Sequence, residues 1–367
     1  MRVLMVGGTG PSGVPIVRDL VAHGHDVTIL HRGTHERPET PPDLVHVHAD
    51  PFDEPSFTAA IGDRSWDVVV AMYGRLRMVA QATRGRCEHF VSVGGVPAYR
   101  GWTNAWVHEP VGLPVPVRED APLIDDPATD EKGYRIVRTE EAVFAAHPSA
   151  THFRYPHLYG PYQPVPREWS VVRRILEGRR RIVVADEGLT LHHHCYTENC
   201  AAAVVRAIEH PERSAGTIFN IGDAEVLTIR QMVELCAIEL GAELDLVSMP
   251  YELAVPAWPL LEQPMPTHRV LDLTRVHTQL GHRDVVPART AVRQTARWLA
   301  GHPPQPGGSE EHVLTDPFDY AAEDALMDSW LAARAAVVMP EFAVAPRWGL
   351  AYSGPEGRPR THAEFAE

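Results

Sequence analysis

The sequence of 367 residues has little lysine, few cysteines and no long apolar run. Lys132 is the only lysine, so arginine supplies nearly all of the positive charge. No stretch approaches the ~18 apolar residues that a membrane-spanning helix needs, which excludes that class of protein. The four cysteines form no Cys-x-x-Cys pair, and we expect them to be free thiols in a reducing cytoplasm; they are Cys87, Cys195, Cys200 and Cys236.

Acidic residues outnumber basic ones, 48 to 34, which gives a formal net charge of −14. That balance argues against non-specific binding to nucleic acid or to a membrane surface. Hydrophobic residues make up 44% and charged residues 22% of the chain, as in ordinary globular proteins. The first strand starts at residue 2, which leaves no room for a signal peptide, and we expect a cytoplasmic protein that binds a small molecule.

The chain opens with a short apolar strand, a glycine-rich turn and an amphipathic helix. The strand covers residues 3–6, and the helix runs from residue 13 to residue 22. Strand, glycine turn and helix form the first unit of a dinucleotide-binding fold, in which the phosphates lie at the helix N-terminus. The residues predicted to bind the cofactor here are Gly7, Thr9, Gly10, Pro11, Ser12 and Gly13.

Strands and helices then alternate along the chain, which predicts an α/β fold with a Rossmann-type, doubly wound parallel sheet. Further strands are predicted at 25–30, 44–50, 66–72, 89–93 and 151–155. We expect the strand near 217–222 to return to this sheet. The predicted organisation is a dinucleotide-binding domain at 1–165, a smaller substrate lobe at 166–300 and an extension of unknown role at 301–367.

Two positions bear on which dinucleotide binds. An NAD-preferring site would place an acid after the second strand, whereas this chain reads His31-Arg32-Gly33. A cation at Arg32 suits a 2′-phosphate, so NADP is predicted, with NAD as the alternative. Asp50, at the end of the third strand, is predicted either to face the adenine or to cap the next helix.

The segment from 94 to 128 is rich in proline and glycine and shows no clear period. Long irregular loops in compact domains are usually functional or disordered, and the tryptophans here argue against disorder. We interpret it as part of a substrate pocket or lid that includes Trp102. Packing against a partner subunit is the alternative.

Several motifs together resemble the extended short-chain dehydrogenase/reductases, the NAD-dependent epimerase/dehydratase family, over residues 1–300. The ending His31-Arg32-Gly33 is similar to a divergent branch that includes chloroplast stem-loop RNA-binding proteins. The features that carry the family resemblance are the Gly7/Gly10/Gly13 turn, Asp50, Tyr134-x-x-x-Arg138 followed by Glu141, Arg154 to Pro161, Phe219-Asn220-Ile221-Gly222, and Leu271 to Gly281.

The resemblance implies that Tyr134 is the general acid/base of a hydride-transfer reaction. In the family a lysine four residues on lowers the pKa of the tyrosine, and here that place holds Arg138, which keeps the charge but cannot relay a proton. The family's catalytic hydroxyl falls near Val93 or Gly94, and Ser92 is the nearest candidate. A structural tyrosine and an exposed, ion-paired arginine are the alternatives.

The resemblance also implies residues around the nicotinamide and the substrate. Pro156 and His157 occupy the place where the family contacts the nicotinamide end, and His193 or His194 is predicted to face the substrate. Neighbouring strand residues point to opposite faces, so only His192 and His194 could converge, and no metal site is predicted.

These features predict an NAD(P)-dependent oxidoreductase or epimerase that acts on a small polar or secondary-metabolite substrate. Sugar dehydration is disfavoured because Gly94-Gly95 replaces the family's Asp-Glu pair. A redox-silent dinucleotide-binding protein on the same fold is the alternative, and the net charge disfavours an RNA-binding protein. Family members often dimerise, so we expect a homodimer.

Overall fold

The computed structural model describes residues 1–33, 37–72, 74–261 and 265–343, together with the backbone of 349–353 and 359–361. The chain divides into two units, Met1–Asp319 and Tyr320–Glu367. The predicted boundary near residue 165 lies inside the first unit and stays a prediction.

A seven-stranded parallel sheet forms the centre of the first unit, as the alternating pattern predicted. Its spatial order is β10-β6-β5-β4-β1-β2-β3, which is doubly wound around β1. The returning strand is confirmed, because β10 pairs with β6. The strands of this sheet are β1 (Arg2–Val6), β2 (Asp26–His31), β3 (Val45–His48), β4 (Trp66–Ala71), β5 (Cys87–Gly95), β6 (Thr151–Tyr155) and β10 (Thr217–Asn220).

Helices cover both faces of the sheet, because alternate residues of each buried strand are apolar on each side. On one face Val17 and Val204 belong to the same apolar cluster as Ile29, and on the other Leu76 and Val143 pack with Val69. The helices of the first face are α1 (Gly13–Ala22) and α6 (Thr197–Glu209), and those of the second are α2 (Glu54–Ile61), α3 (Leu76–Ala82) and α4 (Glu131–Ala146).

Smaller strand pairs and helices complete the first unit. Two parallel pairs lie outside the main sheet, β7 (His157–Tyr159) with β9 (His194–Tyr196) and β8 (Arg181–Ala185) with β11 (Asp245–Met249). The remaining helices are α5 (Trp169–Leu176), α7 (Pro211–Ser214), α8 (Ile229–Glu239), α9 (Trp258–Leu261), α10 (Ala288–Gly301) and α11 (Ser309–Leu314). The second unit contains α12 (Tyr320–Ala335) and the antiparallel strands β12 (Gly349–Ser353) and β13 (Pro359–Thr361).

Residues 301–319, the start of the predicted extension of unknown role, pack against α5. The Trp169 indole donates to Glu311, 2.8 Å away, and Arg174 forms a buried ion pair with Asp316 at 2.7 Å. Arg173 also pairs with Glu311 at 2.7 Å. The acids of this segment therefore neutralise two arginines of α5.

The first part of the segment 94–128 is anchored in the core of its own chain, whereas much of its second half is exposed. Tyr99 is 1% and Trp102 3% exposed, and both belong to the central apolar cluster. The Tyr99 hydroxyl donates to Asn220 at 2.6 Å, which anchors the loop to β10. Trp106, by contrast, is 66% exposed.

One sequence expectation about cysteine was wrong. Cys195 and Cys200 form a disulfide whose Cα atoms are 6.3 Å apart, because β9 leads directly into α6. Cys87 and Cys236 are free cysteines. Within the described residues, no helix combines the length and apolarity that crossing a bilayer requires. The cytoplasmic location and the homodimer stay predictions.

Candidate cofactor and substrate site

The loop between β1 and α1 has the backbone of a dinucleotide cradle. Gly7 has φ +108°, a conformation that residues with a side chain rarely adopt. A Cβ on Gly13 would lie 2.8 Å from the Gly8 carbonyl carbon, so only glycine lets helix and loop approach this closely. A Cβ on Gly10 would meet no atom within 4 Å, which leaves room for a ligand.

The start of α1 also suits an anion. Ser12, the N-cap residue, is 3% exposed, and the first turn of the helix carries no acid that would compete with a phosphate. The unpaired N–H groups and the dipole of a helix N-terminus favour negative charge. The residues present therefore fit the pyrophosphate of a dinucleotide.

Two arginines meet over one aromatic ring, that of Phe52. The Arg32 guanidinium carbon lies 5.8 Å from the centre of the Phe52 ring, and that of Arg75 lies 4.2 Å from it. Asp50 accepts a hydrogen bond from the Phe52 backbone N–H at 2.9 Å, whereas Asp53 is the N-cap residue of α2. Asp50 thus shapes the turn that presents Phe52, and the alternative that it caps α2 was wrong.

The peptide 155–157 runs from the cradle to the strand pair β7–β9. The Tyr155 phenol is buried beside Ser12; burial raises its pKa, and the interaction with Ser12 acts in the opposite direction. Pro156 follows β6, and His157 begins β7 directly opposite His194. One short segment therefore contacts the predicted phosphate loop and the predicted substrate residues.

Five basic side chains gather near the strand pair β7–β9, and we call them the basic chamber; they are His157, Arg167, His192, His194 and Arg269. The rings of His192 and His194 lie 4.6 Å apart, and those of His157 and His194 lie 5.3 Å apart. The predicted convergence of residues 192 and 194 is confirmed. Arg167 Nη2 lies 3.4 Å from His157 Nδ1.

Burial and mutual repulsion dominate the electrostatics of the chamber. Burial lowers the pKa of His192 and His194 well below the usual value, and their basic neighbours lower it further. Burial also lowers the pKa of Arg269 to about 10. Glu168, buried next to Arg167, has its pKa raised by burial to about 6. The chamber is therefore a place where added positive charge is costly and negative charge is favourable.

Trp102 lies at this chamber, whereas His193 does not. Arg269 donates from Nε to the Trp102 carbonyl at 2.8 Å, and the Trp102 ring is 6.4 Å from the His192 ring. His193 points to the opposite side of the strand, where its Nε2 contacts the Asp223 carbonyl at 2.8 Å and its Nδ1 accepts from the Leu271 N–H at 3.0 Å. Both ring nitrogens of His193 are engaged with backbone, which gives that residue a structural role.

Tyr134 and Arg138 share one face of α4 but make no common site. Tyr134 is partly buried and packs beside Ala98 and Ile124. Arg138 is 53% exposed and forms an ion pair with Glu141. The guanidinium is therefore turned to solvent, which is the alternative that the sequence left open.

Ser92 lies inside the sheet rather than at its edge. It is completely buried, and its Oγ is 2.7 Å from His152 Nδ1, on the face that α3 and α4 cover. A Cβ on Gly94, two residues further, would lie 2.4 Å from His152 Nε2. Because the ring fills the space above residue 94, a side-chain hydroxyl there would displace it.

A cavity of about 610 Å³ opens between α3 and α4 and reaches this histidine. Its lining combines the backbone turn at Gly74 with several cations of the two helices, and it includes Gly94 and His152 but not Tyr134 or Ser92. The cationic lining residues are Arg75, Arg77, Lys132 and Arg135.

Sequence reasoning did not identify Arg75, Phe52 or Arg269 as site residues. Arg75 precedes α3 in a left-handed conformation, and Arg269 follows the proline-rich stretch, so neither belongs to a motif. The sequence offered one signal, and only for the two arginines: in a chain with a single lysine, a cation needed at a site is almost always an arginine.

Comparison with known proteins identifies related sequences and folds. Residues 134–222 match the profile of the NAD-dependent epimerase/dehydratase family. A 3-diazoavenalumate denitrifying reductase from Streptomyces sp is 30% identical over 259 residues, which cover 66% of this chain and 82% of the reductase. The chloroplast stem-loop binding protein of 41 kDa b from Arabidopsis thaliana is 25% identical over 250 residues, 64% of this chain and 62% of that protein.

Solved structures agree on the fold. The UDP-glucose 4-epimerase of Thermus thermophilus, solved in complex with NAD, superposes with a TM-score of 0.61 at 20% identity, over 82% of this chain and 99% of the epimerase. At that identity the likeness concerns the fold alone.

Proposed function

Because the chain belongs to the NAD-dependent epimerase/dehydratase family, we propose that it is an NADP(H)-dependent reductase of a small anionic substrate bound in the basic chamber. The observation that carries this proposal is the gathering of five basic side chains, two of them fully buried arginines, in a protein of net charge −14.

An anion would relieve the electrostatic cost of the chamber. Arg167 is 1% and Arg269 2% exposed, and each lowers the pKa of the neighbouring histidines. Charge-assisted hydrogen bonds to a carboxylate or phosphate are stronger than neutral ones. His157 and His194 keep part of their surface exposed, so they form the side through which a substrate would enter. The similar reductase is named for 3-diazoavenalumate, an anion, which supports this substrate class.

The cofactor assignment depends on the two arginines over Phe52. We infer that Arg32 and Arg75 bind a 2′-phosphate, while the Gly7–Gly13 loop and the start of α1 bind the pyrophosphate. When bound there, the nicotinamide would supply or accept the hydride. The pyrophosphate cradle suits NAD equally, so the preference for NADP depends on the arginines.

Tyr134 is the proposed acid/base. Asp130 caps α4 one turn before it, accepting from the Gly133 N–H at 2.8 Å, and also accepts a hydrogen bond from Thr103. Thr103 follows Trp102, so the start of α4 is tied to the loop that borders the chamber. Since Arg138 pairs with Glu141, we do not assign it to tuning the Tyr134 pKa, and we assign Ser92 no contact with substrate.

Titration with NADPH and NADH, followed by a panel of anionic carbonyl, alcohol and diazo compounds, tests the function. We expect tighter binding of NADPH and turnover of at least one anionic compound. Binding of neither dinucleotide would refute the proposal. The matched variants are Arg269→Gln and the exposed Arg297→Gln, of which only the first should weaken substrate binding.

A redox-silent protein is the second candidate. It is favoured by the solvent-facing Arg138 and by Gly94, whose place above His152 has no room for a hydroxyl. Tight NADPH binding without turnover of any compound in the panel would support it.

A further inference from the structure

Three histidines meet at the edge of the main sheet, away from the basic chamber. His31 ends β2, and His46 and His48 lie on the neighbouring strand β3. Each offers one ring nitrogen such that the three nitrogens lie within 4.8 Å of one another. Among the histidine, cysteine and acidic side chains of the described residues, these three histidines form a group whose geometry could hold a metal ion.

The strand register brings these rings together. β2 and β3 are parallel, with Ile29 opposite His46 and His31 opposite His48. Residues two apart on a strand point to the same face, so His46, His48 and His31 all project from one side of the sheet. The His31 ring centre is 5.0 Å from that of His46 and 4.9 Å from that of His48.

The contacts already present are compatible with a nitrogen-ligand site. His31 Nε2 lies 2.8 Å from His46 Nδ1, and His31 Nδ1 accepts from the Gly33 N–H at 3.1 Å. The second contact places the His31 ring proton on Nε2, which donates it to His46 Nδ1. Binding a metal ion through Nε2 would move that proton to Nδ1 and replace both contacts. In a tetrahedral zinc site, ligand nitrogens about 2.0–2.1 Å from the metal are about 3.3 Å apart, so a small turn of His46 and His48 suffices.

We propose that His31, His46 and His48 bind a transition-metal ion of the Zn²⁺ class. Imidazole suits zinc, copper and nickel, whereas magnesium and calcium prefer oxygen ligands. His31 is 4% exposed, His46 is half-buried and His48 is exposed, so the site is open on one side. β3 is the edge strand, which gives an ion access and leaves the fourth position to water.

Titration of the metal-free, full-length protein with Zn²⁺ tests the site, by calorimetry and by competition with a chromogenic chelator. We expect one equivalent to bind, and Co²⁺ to give the visible absorption of a tetrahedral complex. His46→Ala and His48→Ala should each weaken Zn²⁺ binding by at least ~10-fold, because each removes one of three ligands. His312→Ala, which changes an exposed histidine on α11, is the matched control and should bind as the wild type does.

A circular dichroism spectrum of each variant distinguishes a lost ligand from a lost fold. His48 is exposed, so its variant should keep the wild-type spectrum and still lose affinity. Equal Zn²⁺ affinity in the wild type and in the His46→Ala/His48→Ala double variant would overturn the proposal and leave a purely hydrogen-bonded histidine pair.

Discussion

Glu140 provides the sharpest test of how α4 is held on the sheet. Its side chain is 4% exposed and accepts from Arg154 twice, from Nε at 2.9 Å and from Nη2 at 2.7 Å. His152 Nε2 lies 3.4 Å from the same carboxylate. Burial alone would raise the pKa of Glu140, but these two partners lower it from 4.5 to about 2. The ionised carboxylate is therefore built into the fold.

The magnitude follows from that shift. One pKa unit corresponds to 1.36 kcal/mol, so a pKa of about 2 against 4.5 in the unfolded chain contributes roughly 3 kcal/mol to the free energy of unfolding. Because the folded pKa is the lower one, this contribution is fully present above pH 4.5 and is lost as the pH falls toward 2. Glu140→Gln leaves Arg154 buried without its counter-charge, for which a cost of about 3–5 kcal/mol is typical.

Urea unfolding followed by tryptophan fluorescence measures this effect at pH 7 and at several lower values. We expect Glu140→Gln to lose about 3 kcal/mol at pH 7 and the difference from wild type to shrink below pH 4.5. The neighbouring Glu141→Gln is the control, since that carboxylate is 50% exposed and its ion pair is worth at most about 1 kcal/mol. If the two variants were equally stable at pH 7, the reasoning would be refuted.

Three further predictions concern the site. Arg32→Ala and Arg75→Ala should each raise the Kd for NADPH by ~10-fold or more, as the loss of a charge-assisted hydrogen bond does, and fluorescence titration should show the Kd for NADH unchanged. Arg269→Gln should raise the KM for an anionic substrate, measured by steady-state kinetics, by ~10-fold or more and leave the NADPH Kd unaltered. A change in both constants would instead indicate a general loss of folding. Tyr134→Phe should abolish turnover while the NADPH Kd stays the same, and retained activity would remove Tyr134 from the mechanism.

The sheet could be predicted from the sequence because its signals are local. The apolar run of β4 and the glycines at 7, 10 and 13 each carry a physical requirement that few other structures share. The predicted strands match the observed ones within a few residues, and the returning strand at Thr217–Asn220 was correctly placed. Burial on both faces leaves a parallel strand little choice of composition.

The site was harder to predict because its residues converge through tertiary contacts. Arg269 reaches the chamber from a segment 167 residues beyond Trp102, whose carbonyl it binds. His193 and His194 are adjacent in sequence, yet only the strand pairing decides that one binds backbone and the other faces the chamber. Motif spacing cannot supply such information, since it depends on which strands become neighbours.

The tyrosine motif shows the same limit. A tyrosine followed four residues later by a cation predicts a shared helix face, and the two residues do share it. The spacing does not reveal whether that face looks into a cleft or toward solvent. Arg138 is also flanked by Glu141, whose carboxylate competes for the guanidinium. Local competition of this kind decides the partner of an exposed side chain, and residue spacing does not specify its outcome.

The net negative charge of the protein makes the binding of anions dependent on individual arginines. A molecule of net charge −14 repels an anionic cofactor and an anionic substrate at long range. Salt screens that repulsion beyond about 8–10 Å, whereas a buried guanidinium acts at contact distance and is screened much less. Attraction therefore begins only when the anion reaches the cradle or the chamber. Recognition of the two proposed ligands would then depend on a few placed cations, and the proposed selectivity for NADP depends on two of them, Arg32 and Arg75.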